Sequence, residues 1–198
     1  MKNSEVIWHD GYITKEDRNK TYGHKSKVVW FTGLSASGKS TITHLLEKVL
    51  FDKGIKVYAF DGDNIRHGLN SDLGFSPEER RENLRRISEV AKLFVDAGIM
   101  VLAAFVSPYE KDREYVKSKF NKDDFLEVYV RCPIEVCETR DPKGMYKKAR
   151  AGIIKGYTGV DAPYEEPKNP DLIIDSERLS PKEAVQIAYK ELKAKGWI

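Results

Sequence analysis

The chain has little cysteine: Cys132 and Cys137 are the only two in 198 residues. That is too few for a disulfide framework, and they read as packing residues of a reducing compartment. No stretch approaches the roughly 18 consecutive apolar residues of a membrane span. The opening Met-Lys-Asn-Ser-Glu-Val-Ile-Trp lacks the apolar core of a signal peptide, so the expected location is cytoplasmic. The histidines, His9, His24, His44 and His67, have no familiar metal-ligand spacing. An excess of one charge is also missing, with 34 basic residues against 31 acidic. Such a balance argues against a nucleic-acid partner but leaves room for local basic clusters that bind a small polyanion. Internal repeats and low-complexity tracts are absent. What remains, 40% hydrophobic and 33% charged, suits one globular domain with a sizeable core.

Within it, Gly33-Leu34-Ser35-Ala36-Ser37-Gly38-Lys39-Ser40 fits the spacing Gly-x-x-x-x-Gly-Lys-Ser, with Thr41 following. The β-branched and aromatic run Val28 to Thr32 precedes it as a buried strand. Ile42, Leu45, Leu46, Val49 and Leu50 follow at helical spacing. Strand, glycine-rich turn and helix together distinguish a phosphate-binding loop from a chance Gly/Ser loop. Successive backbone N–H groups face one concave point beside a helix N-terminus. Lys39 supplies charge for the β- and γ-phosphates, and the Ser40 hydroxyl suits Mg²⁺.

Along the chain, residues 1–26 read as a polar, irregular arm in which Trp8 and Tyr12 dock on the body or on a second subunit. Residues 27–198 read as the single domain. After a stop at Gly54, Ile55 to Phe60 is the second strand and delivers Asp61-Gly62-Asp63-Asn64 at its carboxyl end, where ligands of open α/β sheets gather. Ser76-Pro77-Glu78-Glu79 is a capping box that starts a long helix to about Ala97. Arg80 and Asn83 share one face near the ligand edge, whereas Arg81 and Arg85 read as solvated. Ile99 to Phe105 is an apolar, central strand. It ends in Ser107-Pro108-Tyr109-Glu110, which has the same capping-box pattern. Phe125 to Arg131, a short helix Ile134 to Arg140, Leu172 to Asp175 and a final capped helix from Ser180 complete the order. The basic and Pro/Glu-rich stretch of about 140–170 reads as a mobile lid. The expected architecture is α/β, a five-stranded parallel sheet flanked by helices.

A phosphate loop alone fits a motor, a switch GTPase, a transport ATPase or a small-molecule kinase. The short chain, the lack of an Asn-Lys-x-Asp guanine signature, and Phe105-Val106-Ser107 in place of an acidic end to the third strand favour the kinase. Asp61 and Asp63 suit a hydroxyl acceptor: one orients or deprotonates it while the other, or both through water, holds Mg²⁺. Ser40 and Asp61 are the metal candidates. The plainer alternative is a turn with Asx capping.

Trp30 to Ser35, Asp61 to Asn70, Gly74-Phe75-Ser76-Pro77, Arg80 to Asn83, Ser107-Pro108-Tyr109 and Arg140 to Gly152 together resemble the adenylyl-sulfate kinase family over nearly the whole chain. The resemblance implies a P-loop NTPase three-layer fold, a homodimer, and transfer of the γ-phosphoryl of MgATP to the 3′-hydroxyl of adenosine 5′-phosphosulfate (APS). It further implies APS contacts at Asp63, Arg66, Phe75, Arg80, Asn83, Val106, Ser107, Lys143, Gly156 and Tyr157, with Arg140 over the ATP base. Phe75 and Tyr157 then suit the two faces of adenine. Ser107 is a proposed phosphoserine intermediate in relatives; its alternative role is a cap that also positions substrate. Ala36 stands where many relatives have glycine, harmless if its φ is negative. The alternative from another class is a non-catalytic APS-binding regulatory module.

Overall fold

The computed structural model describes residues 6, 7 and 9–198. Five parallel strands run β1 (Val28–Thr32), β2 (Val57–Asp61), β3 (Met100–Ala104), β4 (Phe125–Arg131) and β5 (Leu172–Asp175), in spatial order β2-β3-β1-β4-β5. β1 is central and wholly buried, so its carboxyl end opens in the middle of the sheet edge. The register sets Asp61 beside Ala104, and Phe105 continues from β3 by donating its N–H to Phe31 O at 3.1 Å. The phosphate loop, the Asp61 turn and the segment after β3 therefore emerge side by side.

Helices cover both faces, as parallel sheets require. On one face α2 (Lys39–Phe51) and α8 (Pro181–Ala194) bury Leu46, Leu50, Ala188 and Leu192 against Val29, Phe31 and Leu102. On the other, α4 (Pro77–Asp96) packs Leu84, Ile87, Ala91 and Val95 against Val28, Trp30 and Val101, beside α5 (Glu110–Lys117). Leu46 is fully buried, and truncating such a side chain to alanine costs about 2–5 kcal/mol. Both predicted caps at Ser76 and Ser180 form reciprocal boxes with Glu79 and Glu183.

Five expectations are corrected. Residues 15–22 form a helix, α1 (Lys15–Tyr22), started by a Thr14–Asp17 capping box and ended by Gly23 at φ 72°. It attaches to the base of the sheet through Arg18 to Asp96 O (3.0 Å) and through Lys15 to Asp124 (2.7 Å). Tyr12 is fully exposed and does not dock on the body; Trp8 lies outside the described residues. Ser107 is not an N-cap: α5 starts after Tyr109 with no side-chain cap of its own. Instead the Glu110 N–H donates to the Glu165 carboxylate at 2.6 Å. The stretch read as lid contains a helix, α7 (Met145–Arg150), which follows α6 (Ile134–Arg140). Asp141 holds its first turn by accepting from the N–H groups of Met145 and Lys147. Finally, Arg81 is not merely solvated, since it pairs with the buried Asp112 at 3.2 Å; Arg85 pairs with Glu82 on the surface as expected.

Candidate active site

One cleft of about 1140 Å³ runs along the carboxyl edge of the sheet. Its floor is the phosphate loop. Gly33 must be glycine, because a Cβ there would meet Val130 O at 2.5 Å and Ser37 Oγ at 2.9 Å. Gly38 turns at φ 98° into α2. Ala36 has φ 59°, so the condition under which alanine replaces glycine without strain is not met; the left-handed region costs an L-residue about 1–2 kcal/mol. Ser35, Ala36, Gly38, Lys39, Ser40 and Thr41 line the cleft. Leu34 packs beneath, near Tyr146 and Cys137, and Ser37 is fully buried.

Lys39 is almost fully buried and folds onto the loop, donating to Gly33 O at 2.9 Å and Leu34 O at 2.7 Å. Burial brings its pKa down to about 8, against the pull of the Asp61 and Asp63 carboxylates. Two braces absent from the sequence reading fix the loop from outside. The Tyr146 hydroxyl donates to Ser35 O at 3.0 Å, and the Ser176 hydroxyl donates to Ser37 O at 2.7 Å. Arg140 in turn donates to Ser176 O at 2.6 Å, which places its guanidinium on the cleft wall. Tyr146 was within the recognised Arg140–Gly152 block; nothing in the sequence singles out Ser176.

Beside the loop, Asp61 caps the short α3 (Gly62–Ile65) by accepting from the Asp63 N–H at 2.9 Å. The Asx turn and the ligand-edge placement are thus one feature. Burial pushes the Asp61 carboxyl up, but hydrogen bonds from the Ser40 hydroxyl and the Asp63 and Asn64 N–H groups outweigh it, leaving it below the ordinary carboxylate value. Ser40 and Asp61 form a pair of hard oxygen donors of the kind Mg²⁺ accepts. Asp63 is exposed and forms an ion pair with Lys143 across the cleft mouth. Cys137 is buried and its thiol pushed up to about 12 by that burial, which fits a packing role.

The far wall comes from α3, α4 and the stretch between them. Arg66 donates through one terminal nitrogen to Leu73 O (2.8 Å) and Gly74 O (2.9 Å), and its guanidinium lies 4.3 Å from the Phe75 ring centroid. Arg80 donates to Phe75 O at 2.8 Å and to Gly156 O at 3.0 Å. Asn83 is buried, and its carbonyl accepts from Asn70 at 2.9 Å. Tyr157 lies edge-on to Tyr146, centroids 5.0 Å apart. Val106 and Ser107 close the wall opposite. Ser107 has φ 39°; its hydroxyl accepts from Trp30 Nε1 at 3.2 Å and donates to Thr32 Oγ1 at 2.9 Å. The cleft thus gathers every residue the sequence singled out apart from Gly33, Leu34 and Ser37, which form or underlie the loop.

A glycine-rich loop with a buried lysine, facing a wall of arginines, aromatics and a carboxylate, has the make-up of a P-loop small-molecule kinase. The profile of the adenylylsulphate kinase family matches residues 25–175. The chain is 56% identical to the adenylyl-sulfate kinase of Thermodesulfovibrio yellowstonii over 193 residues, 98% of this chain and 96% of the relative. Among solved structures it is similar to the Mycobacterium tuberculosis APS kinase in complex with AMPPNP and APS. There the TM-score is 0.82 at 49% identity, covering 86% of this chain and 99% of that one. It is also similar to a hexameric APS kinase from Thiobacillus denitrificans, with TM-score 0.68 and 30% identity over 88% of this chain and 30% of that one. The chain belongs to the adenylyl-sulfate kinase family, and its activity is phosphoryl transfer from ATP to adenosine 5′-phosphosulfate.

Proposed function

We propose that this cleft makes PAPS and ADP by direct in-line transfer of the ATP γ-phosphoryl group to the APS 3′-hydroxyl, without a covalent enzyme intermediate. The observation that carries the reading is the placement of Lys39, Ser40 and Asp61 on one side of a single cleft that has Arg66, Phe75, Arg80 and Asn83 on the other. Lys39 swings from the loop carbonyls to the β- and γ-phosphates, whose negative charge offsets the cost of burying its ammonium. Ser40 and Asp61 would hold Mg²⁺, and the bound ion would supply positive charge against the phosphate oxygens. Asp61 or Asp63 orients the acceptor hydroxyl, and Lys143 leaves Asp63 for the incoming phosphates. Arg66 keeps three of its five N–H donors for the phosphosulfate and Arg80 keeps its remaining ones, a forked arrangement suited to planar oxyanions. Phe75 and Tyr157 flank adenine, and the Asn83 amide N–H reads its edge, the Asn83 carbonyl being taken by Asn70. Val106, Ser107 and Gly156 border the same pocket, and Arg140 covers the ATP base. Ser107 positions substrate; its hydroxyl is engaged on both sides by Trp30 and Thr32, and among the described residues no base adjoins it.

The chain is further proposed to act as one domain with its lid at about 140–170, as a homodimer, and in the cytoplasm, where two unpaired buried cysteines are stable. Among the described residues no helix is long and apolar enough to cross a membrane. The test is a coupled ADP-release assay with APS against a panel of hydroxyl acceptors. Turnover confined to APS is expected; equal turnover on sugar or shikimate-type hydroxyls would overturn the reading. Light scattering on the purified chain reads the dimer.

A further inference from the structure

The part of the lid that returns to the sheet is fastened to the acceptor wall by four contacts. Glu165 donates its N–H to Pro108 O at 2.8 Å, and its carboxylate accepts the Glu110 N–H. Lys168 pairs with Glu110 at 2.8 Å. Tyr164 reaches further in, with its hydroxyl 3.0 Å from Thr32 Oγ1 and its ring stacked on Tyr129 at 6.1 Å.

Hydrogen counting fixes the direction of this bond. A threonine hydroxyl has one proton and two lone pairs. Thr32 gives its proton to Val106 O at 2.8 Å and accepts from the Ser107 hydroxyl. The nearest other acceptor for Ser107, Phe105 O, is at 3.4 Å. Tyr164 must therefore be the donor, filling the second lone pair of Thr32. Burial holds its phenol above the ordinary tyrosine value, so it keeps its proton throughout the working pH range. Thr32, which stands at the end of β1 just before the phosphate loop, thereby ties together Val106, Ser107 and the lid. Arg113 completes the clamp by donating to Ser107 O at 2.9 Å, with its guanidinium 6.0 Å from the Tyr164 ring. The clamped residue, Ser107, is with Ala36 one of two non-glycine residues among those described whose φ lies in the left-handed region. A backbone in that region persists only where its surroundings over-determine it.

We propose that Tyr164 is a positioning residue for the acceptor substrate: through Thr32 it holds Val106 and Ser107 in the strained conformation that shapes the APS wall. The inference rests on the reading that this wall binds APS. Tyr164→Phe removes the donated proton and keeps the ring stacked on Tyr129. Losing one such bond should raise KM for APS about five- to tenfold, while KM for ATP changes less than twofold and Tm stays within about 2 °C. Thr32→Val removes the shared acceptor, so the double variant should be no worse in KM for APS than Thr32→Val alone. A wild-type chain that releases ADP with APS, beside a Tyr164→Phe variant with unchanged KM for APS, would overturn this inference alone. So would equal rises in both KM values, or additive effects in the double variant, since these mark an undirected structural loss. A wild-type chain silent with APS would instead overturn the underlying reading.

Discussion

Replacing Lys39 by methionine should make the protein more stable and nearly inactive. The lysine is held almost wholly out of water, and its pKa is lowered from 10.5 to about 8 by that burial. Each pKa unit corresponds to about 1.4 kcal/mol, so holding the ammonium in the fold costs about 3 kcal/mol. Below pH 8 the group is charged in both folded and unfolded chains, and the whole cost applies. Between about 8 and 10.5 the folded chain releases the proton while the unfolded chain keeps it. Stability from this group thus rises with pH across the window, and the cost is gone above 10.5. Methionine packs the same stem without the charge, but it leaves Gly33 O and Leu34 O without their donor. The net gain at pH 7 is about 1–2 kcal/mol, an increase of about 2–8 °C in Tm. Thermal unfolding of both ligand-free proteins at pH 6, 7, 9 and 10.5 reads the difference, which should shrink toward the alkaline end. ADP release should fall at least about 10²-fold, because the transition-state charge on the transferred group loses its partner. A variant less stable than wild type at pH 7, or a gain that does not change with pH, would refute the assignment of a buried, depressed lysine.

Three other outcomes follow from the same geometry. Ala36→Gly should relieve the positive φ and raise Tm by about 1–3 °C after the added freedom of the unfolded chain is counted; a fall in Tm would refute the strain. Ser107→Ala should fold and keep measurable kinase activity while losing about 1–3 kcal/mol, from the buried Trp30 N–H left without an acceptor and not from a lost cap. Isolation of a kinetically competent phosphorylated Ser107 would end the direct-transfer reading. Asp61→Asn should lower kcat with a modest change in KM for APS, whereas Arg80→Ala should raise KM for APS before it erodes kcat and do so less at high salt. Steady-state kinetics at saturating MgATP separate these, and the opposite pattern would exchange the two roles.

Features held by neighbours in sequence were legible. The Ser76 and Ser180 caps, the strand–loop–helix around Lys39 and the Asp61 turn depend on spacings of two to eight residues, and each forms as read. The Ser107-Pro108-Tyr109-Glu110 pattern failed because distant partners compete for its atoms. Trp30 and Thr32 take the hydroxyl, and Glu165, 55 residues away from Glu110 in sequence, does the capping. α1 was missed because its attachment is polar and buries no apolar stripe, although Thr14-Lys15-Glu16-Asp17 carried a cap signal. α7 was missed because basic residues dominate it and its first turn is held by Asp141. Ser176, Tyr164 and the joining role of Thr32 become recognisable only once the strand order sets β1 between β3 and β4.

The two sides of the cleft are held in different ways. The Ser35 and Ser37 carbonyls are engaged from outside by Tyr146 and Ser176. A trans peptide points its N–H opposite its C=O, so the N–H groups of Ala36 and Gly38 turn away from those braces. An anion nest fixed in this way needs no reorganisation when phosphate charge develops, the condition under which electrostatic stabilisation is most effective. The proposed acceptor wall, in contrast, is completed by contacts from residues 140–170: Arg80 to Gly156, Lys143 to Asp63, and Tyr164 to Thr32. Two of these are single polar links near the surface, the sort that opens at low free-energy cost. A nucleotide product has to leave past this wall, so polar links that break one at a time suit release better than a packed apolar seal would. On the proposed reading, the rigid half of the cleft is therefore the one that bears the transferring phosphates, and the half that yields is the one that binds the acceptor.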